Sequence, residues 1–369
     1  MKRHSLAIGL SIAAMGATYP YLSVELDRAG ITGWWLLAAM IATPTMRLLI
    51  GSGWGALSDK LRGAVWVLAL AAAISALGAG LMGLGVALAG VFVFSAGRVG
   101  IDPLLDGSVL GGLADDRRRY GRVRAWGSVG FVVAVLIGAA MVESGVSPFW
   151  LACAVSAALA ALAFALPRDA GQEGHPGILP ALRTLISDRP VLALLVASAF
   201  HFASISVYDG FFALHLERLG LPSRWAGMAF GLGVGLEVLV LFAGPWILRR
   251  FGAHKCIVFS VALGIPRWLV CAWVIDPVAL VAVQALHGIG FGAFWVGAVH
   301  RVATRAPREV QASAQAVLAA ALGGVGALMG NALGTFGVST FENTGDIFLI
   351  SAALATVALV SACLGGGAD

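Results

Sequence analysis

Apolar runs recur along the whole chain, each about as long as a lipid bilayer is thick. A spanning helix needs roughly 20 mostly apolar residues. Such runs fall at 5–26, 32–57, 64–84, 86–110, 125–144 and 148–167, then at 190–214, 222–248, 254–274, 277–300, 310–336 and 346–365. They predict twelve transmembrane helices. The runs are too long for strands and lack the period-2 alternation of a barrel. Small residues recur inside them, as in "GLGVGLE" and "LGGVGALMGNALG", which lets helices approach closely in lipid. One longer hydrophilic stretch, 168–189, parts the runs six and six. The expected fold is an all-α membrane protein of two six-helix bundles: residues 1–167, a cytoplasmic linker over 168–189, and residues 190–369. One offset of 189 residues relates three loops across the halves: Gly55 with Gly244, Lys60 with Arg249, and Arg119 with Arg308. Parallel six-span repeats of this kind are a transporter construction.

Composition agrees. The chain is 59% hydrophobic and 12% charged, with mean hydropathy +0.91, whereas soluble domains carry about a quarter charged residues. The net charge of +5 matters through its distribution. Of 24 Lys and Arg, 18 fall on the ends and loops of one side, 3 on the other and 3 within spans. By the positive-inside rule this puts both termini in the cytoplasm, expected here to be that of a bacterium with the chain in its inner membrane. The basic side is expected to meet acidic lipid headgroups. No basic stretch interleaves with base-stacking aromatics, so no nucleic acid is expected. Residues 1–4 and the run after them resemble a secretory signal, but no small-x-small site ends the run, so an uncleaved first span is predicted.

The chemistry sits inside the spans. Eight ionisable groups lie clear of the span ends: Arg47, Arg98, Asp102, Asp106, Asp209, Glu237, Arg267 and His287. Each costs several kcal/mol in lipid unless paired or wet, so each is a candidate functional group. In "GRVGIDPLLDG" the spacing of four puts Arg98, Asp102 and Asp106 on one helical face. Pro103 frees a backbone carbonyl beside them. Two readings of the stripe stand side by side: part of a substrate and proton path, or an internal salt bridge that lets the helix insert. Asp209 in "VYDGFF" and Glu237 in "GLEVLVLF" have no oppositely charged neighbour within their own helices, a setting suited to a proton carrier. An interhelix pair with Arg267 is the rival reading. His287 is as well read as a core histidine. Trp34, Trp35, Trp54, Trp66, Trp150 and Trp246 lie near span ends and are expected to anchor at the interfaces. Trp268, Trp273 and Trp295 lie deeper, and Trp295 is a candidate to stack on a substrate ring.

No enzyme is expected. The four cysteines show neither CxxC nor zinc spacing, and no metal or cofactor is predicted. The Walker, HExxH and Gly-x-Ser-Gly motifs are absent. "YDG" at Asp209 lacks the Gly-x-Gly-Asp partner of an intramembrane aspartyl protease.

"GWGALSDKLRG" resembles the loop 2–3 signature of the major facilitator superfamily at Gly55, Leu57, Asp59 and Lys60, with Arg62 and Gly63 in swapped order. "YGRVRAWGSVGF", "PLLDG", "GLGVGLEVLVLF", "GIPRWL" and "VQALHGIGFGAFWVGAVHRV" are similar to the 3-phenylpropionate permease group, which is related to lactose permease and nucleoside–proton symporters. This resemblance implies secondary active transport by alternating access: proton-coupled uptake of a small organic solute (an aromatic carboxylate, sugar or nucleoside) by a monomer. Export of drugs or metabolites, and uniport, are the alternatives. Carried over by motif, it implies substrate binding at Asp106 and Arg124. Arg98, Asp102, Arg47 and Trp295 join them on the reading of the residues. It further implies proton coupling through Glu237, Asp209, Arg267 and His287. Asp59, Lys60 and Arg122 are expected at the inner gate. Where lactose permease has a carboxylate three residues after the histidine, this chain has Gly290.

Overall fold

In the computed structural model of the chain, the described residues are 2–61, 64–113, 120–166, 178–307 and 310–366. Every predicted run is helical there, and no strand occurs among these residues. The first half holds α1 (Lys2–Arg28), α2 (Gly33–Met40), α3 (Ala42–Leu61), α4 (Ala64–Gly83), α5 (Ala87–Leu113), α6 (Tyr120–Glu143) and α7 (Phe149–Ala163). The second holds α8 (Ile178–Ser187), α9 (Arg189–Arg218), α10 (Arg224–Phe251), α11 (Ala253–Trp273), α12 (Pro277–Ala282), α13 (Ala285–Arg305), α14 (Gln311–Ala320), α15 (Ala327–Thr340) and α16 (Ile347–Leu364).

Four runs depart from simple spans, one of them the tenth, interrupted at Val283–Gln284 between α12 and α13. The second is broken into α2 and α3 with a bend of 41°. Pro44 explains it: its ring collides with the carbonyl four residues back, at Met40, and α2 ends on that residue. The sixth run forms a helix of 15 residues, short for a bilayer. The eleventh contains a π-helical turn, Ala321–Gly326, between α14 and α15. By length and apolarity ten helices among the described residues can cross a membrane, eleven with the bent pair, and α7 is a shorter apolar helix. Of the expected linker, 168–177 lies outside the described residues, while α8 is a helix whose Leu185 is buried.

The helices sort into two compact units, Met1–Glu173 with Gly220–Gly231, and Gly174–Leu219 with Leu232–Asp369. The start of α10 belongs to the first unit for local reasons. A Cβ on Gly227 would touch Ala139 and Leu136 of α6. The Glu143 carboxylate accepts from the Arg224 backbone N–H at 2.7 Å and from its Nε at 3.1 Å. The first core joins Ile8, Leu68, Ile101, Leu104 and Leu159. The second joins Leu194, Val261, Phe294, Val302 and Leu318. Large apolar side chains also stand exposed, such as Leu49 (71%) and Phe242 (64%), as hydrocarbon-facing helices permit.

Close backbone approach holds the first unit together. A Cβ at Gly78 on α4 would lie within 2.5 Å of the Phe94 Cα on α5. Gly78→Val therefore forces the pair apart. We expect a loss of about 1–3 kcal/mol or more, seen as a lower unfolding temperature in detergent. Gly53→Ala, where nothing lies within 4 Å of the new carbon, should be neutral or slightly stabilising. Equal behaviour of the two variants would refute the close-packing account.

Candidate functional site

The first unit carries a charged cluster on α5. Arg98 is 1% exposed. Its Nη2 donates to Asp102 at 2.7 Å (Oδ1) and 2.8 Å (Oδ2) and lies 2.9 Å from the Met15 sulfur of α1. Ser11 of α1 donates to Asp102 Oδ1 at 3.0 Å. The helical spacing thus does form a salt bridge. The guanidinium is sealed in, while the carboxylate stays 27% exposed. Arg98 Nε and Nη1, though buried, meet no acceptor among the described residues. Arg47 on α3 and Arg124 on α6 lie within electrostatic reach of Asp102. Asp106, half-buried, sits one turn along the same face. The unit therefore gathers three basic and two acidic groups, a surplus of one positive charge. Thr43 and Ser95 hydroxyls, 2.8 Å apart, tie α3 to α5 nearby.

The second unit carries a cluster built around Arg267 on α11, 2% exposed. Its Nε donates to Gln284 Oε1 at 2.8 Å. Its guanidinium carbon lies 4.3 Å from the Tyr208 ring centre and 3.9 Å from that of Trp268. Two aromatic faces attract a cation strongly where water is excluded. Gln284 is fully buried and its amide also donates to the Leu280 carbonyl at 2.9 Å, which fixes its oxygen toward the arginine. Asp209 on α9 is half-buried and within electrostatic reach of Arg267. No hydrogen bond or ion pair joins the two side chains among the described residues.

The α10–α13 contact brings two further candidates together. A Cβ on Gly233 would meet the His287 ring, and one on Gly288 would meet the Glu237 backbone. His287, Phe291 and Trp295 stack in series along α13, with ring centres 5.6 and 6.2 Å apart. Trp295 is 38% exposed. Gly290 packs on α11, where a Cβ would lie 3.2 Å from the Ser260 carbonyl. A side chain there needs α11 to give way by a few tenths of an ångström.

Sequence reasoning missed Gln284, Tyr208 and His201. His201 is as ionisable as His287 and as far inside a span, and the amide in "VQALHG" is itself a polar group needing partners in lipid. His201, 4% exposed, packs its ring on Phe294 with centres 4.5 Å apart. Two tryptophan expectations are corrected. Trp54 does not stand at the interface as an anchor: its Nε1 donates to the Ala96 carbonyl at 2.9 Å and its ring covers Gly100. Trp273 is not deep: it ends α11 and is 67% exposed. Asp59 and Lys60 lie exposed on the last turn of α3. Arg122 lies on α6, its side chain outside the described residues.

The chain belongs to the MFS_1 like family, whose model matches residues 10–350. It is a membrane-embedded transporter of the major facilitator type. It is similar to the maltose permease of Geobacillus stearothermophilus, 29% identical over 326 residues, covering 85% of this chain and 82% of that protein. A probable 3-phenylpropionic acid transporter of Escherichia coli is 28% identical over 224 residues, 57% of this chain and 56% of its own length. In fold, the crystal structure of the nucleoside transporter NupG superposes with TM-score 0.83 at 18% identity, over 99% of this chain and 97% of the other. These relatives are transporters, not enzymes.

The Arg267–Gln284 bond is testable by a double-mutant cycle. Gln284→Leu strands a buried guanidinium bond, and we expect it to cost about 2–3 kcal/mol. Adding Arg267→Met should recover much of that loss, because the stranded charge goes with it. Thermal unfolding in detergent reads both steps; strictly additive losses would mean that the two side chains do not act together.

Proposed function

We propose that the protein is a proton-coupled secondary transporter that takes up a small organic solute by alternating access. The observation that carries this reading is the charge set of the first unit. Arg47, Arg98, Asp102, Asp106 and Arg124 include one uncompensated positive charge, and Asp102 is held ready by Ser11 and Arg98. A polar set of this kind, with Arg98 buried, Arg47, Asp102 and Asp106 half-buried and Arg124 exposed, favours a solute with a carboxylate or several hydroxyls. An aromatic carboxylate fits the surplus charge best; a sugar or nucleoside fits the hydroxyl-rich alternative. Relatives whose names specify maltose and 3-phenylpropionic acid support both substrate classes. Asp106 and Arg124 are assigned direct contact with the solute.

Coupling is assigned to the second unit. Arg267 bonds to a neutral amide and faces Asp209 electrostatically. It therefore tunes a carboxylate without being locked to it. Gly290 leaves no carboxylate after His287, so the proton falls to Asp209 or Glu237. Asp59, Lys60 and Arg122 are assigned to gating at the Lys/Arg-rich ends of their helices. The site is in the bacterial inner membrane, with both termini cytoplasmic, on the strength of the Lys and Arg bias.

Purified protein in liposomes tests the proposal. Asp106→Asn and Arg124→Gln should each abolish counterflow of the solute while leaving the protein folded. Wild-type counterflow in either variant would remove that residue from the site. A neutral residue at the true proton carrier should block accumulation against a gradient yet preserve counterflow. If Glu237→Gln and Asp209→Asn both still accumulate solute with a proton gradient as sole drive, neither carries the proton. Purely downhill equilibration by the wild type would make the protein a uniporter, and net extrusion an exporter.

A further inference from the structure

A groove of about 330 Å³ opens on the second unit, lined by His254, Lys255, Val258 and Phe259 of α11 and by Cys363 of α16. It has a polar end and an apolar end. Lys255, exposed, and His254 stand on the first turn of α11. One turn further along come Val258 and Phe259, and Phe259 is 53% exposed. Leu364, next to Cys363, is 79% exposed. Exposed apolar side chains of this size on a membrane-spanning helix face hydrocarbon.

The polar end is basic. His254 Nδ1 lies 3.1 Å from Arg301 Nη1, and Arg301 is 3% exposed. Arginine only donates, so Nδ1 accepts and the imidazole hydrogen sits on Nε2, the ring edge beside Gly366. Arg249 and Arg250 end α10 just before α11 begins. Among the described residues no acidic side chain lines the groove. The first backbone N–H groups of α11 add partial positive charge, since its N-cap, Gly252, supplies no side-chain acceptor.

We propose that this groove binds an anionic phospholipid. Its phosphate lies at Lys255 and His254, and an acyl chain follows Val258, Phe259 and Cys363. A soluble anion would use the polar end alone and leave Phe259 uncovered. A zwitterionic lipid would bring a cation to a basic site. Basic pockets between spanning helices suit anionic headgroups in this way. The Lys/Arg-rich ends of these helices put the groove on the membrane side where such headgroups meet the protein.

Native mass spectrometry of detergent-released protein tests this with phosphatidylglycerol and phosphatidylcholine as probes. The wild type should retain phosphatidylglycerol in preference to phosphatidylcholine. Lys255→Gln should lower that retention about fivefold, and Lys255→Arg should restore it. Lys2→Gln removes an exposed charge elsewhere and should change nothing. The elution profile on size exclusion shows that each variant is folded. Equal retention by Lys255→Gln and wild type, or equal loss in Lys2→Gln, would overturn the site. Equal retention of the two lipids would overturn the anionic headgroup, and displacement of the lipid by inorganic phosphate at millimolar level would overturn the lipid as its occupant.

Discussion

A guanidinium carried into an apolar helix bundle must find its partners within reach, and this chain solves the problem twice in different ways. Arg98 uses a carboxylate one turn along its own helix, so its pairing forms as soon as α5 does. Arg267 uses a neutral amide at the start of α13 and the Tyr208 ring of α9, beside the Trp268 ring of its own helix, so its full set of partners exists only in the assembled unit. The first solution is local to one helix. The second depends on how α9, α11 and α13 pack.

The same constraint orders the surrounding architecture. Glycine at Gly78 brings α4 and α5 to backbone contact, and α5 carries the Arg98–Asp102 pair at a fixed depth. Pro44 breaks the second span and sets off α3, which carries Arg47 and the Thr43 hydroxyl bonded to Ser95. In the second unit, Gly233 and Gly288 let α10 and α13 approach, which sets His287 against the turn that leads to Glu237. Small residues, not polar bonds, thus decide where most of the polar groups stand. This follows from lipid as solvent: it gives helices no hydrophobic reason to associate, so close packing has to supply one.

The charged groups were legible because ionisable residues in apolar runs are rare. Arg98 and Asp102 could be paired on paper from their spacing of four, and the fold pairs them. Asp209 and Arg267 were legible as candidates only; that the arginine acts electrostatically on the carboxylate depends on where the fold places α9 and α11. Gln284 and Tyr208 were overlooked because neither carries a charge, and their significance comes entirely from the arginine they surround. Trp54 and Trp273 show the reverse error. Distance from a span end was taken as depth, but the direction a ring faces is set by the neighbouring helix.

What the sequence determined by itself is the medium and the elements. Runs of this length and polarity have to be helices in lipid, because every backbone N–H and C=O must be satisfied within its own segment. The break at Pro44 and the pairing of Arg98 are equally local, decided within four residues. Only the tertiary structure decided which helices touch, that the start of α10 packs with the first unit, and that Arg267 meets the Tyr208 ring of α9. Those contacts join residues far apart in the chain. They depend on which faces of near-uniformly apolar helices fit one another, a matter of shape that hydropathy does not encode.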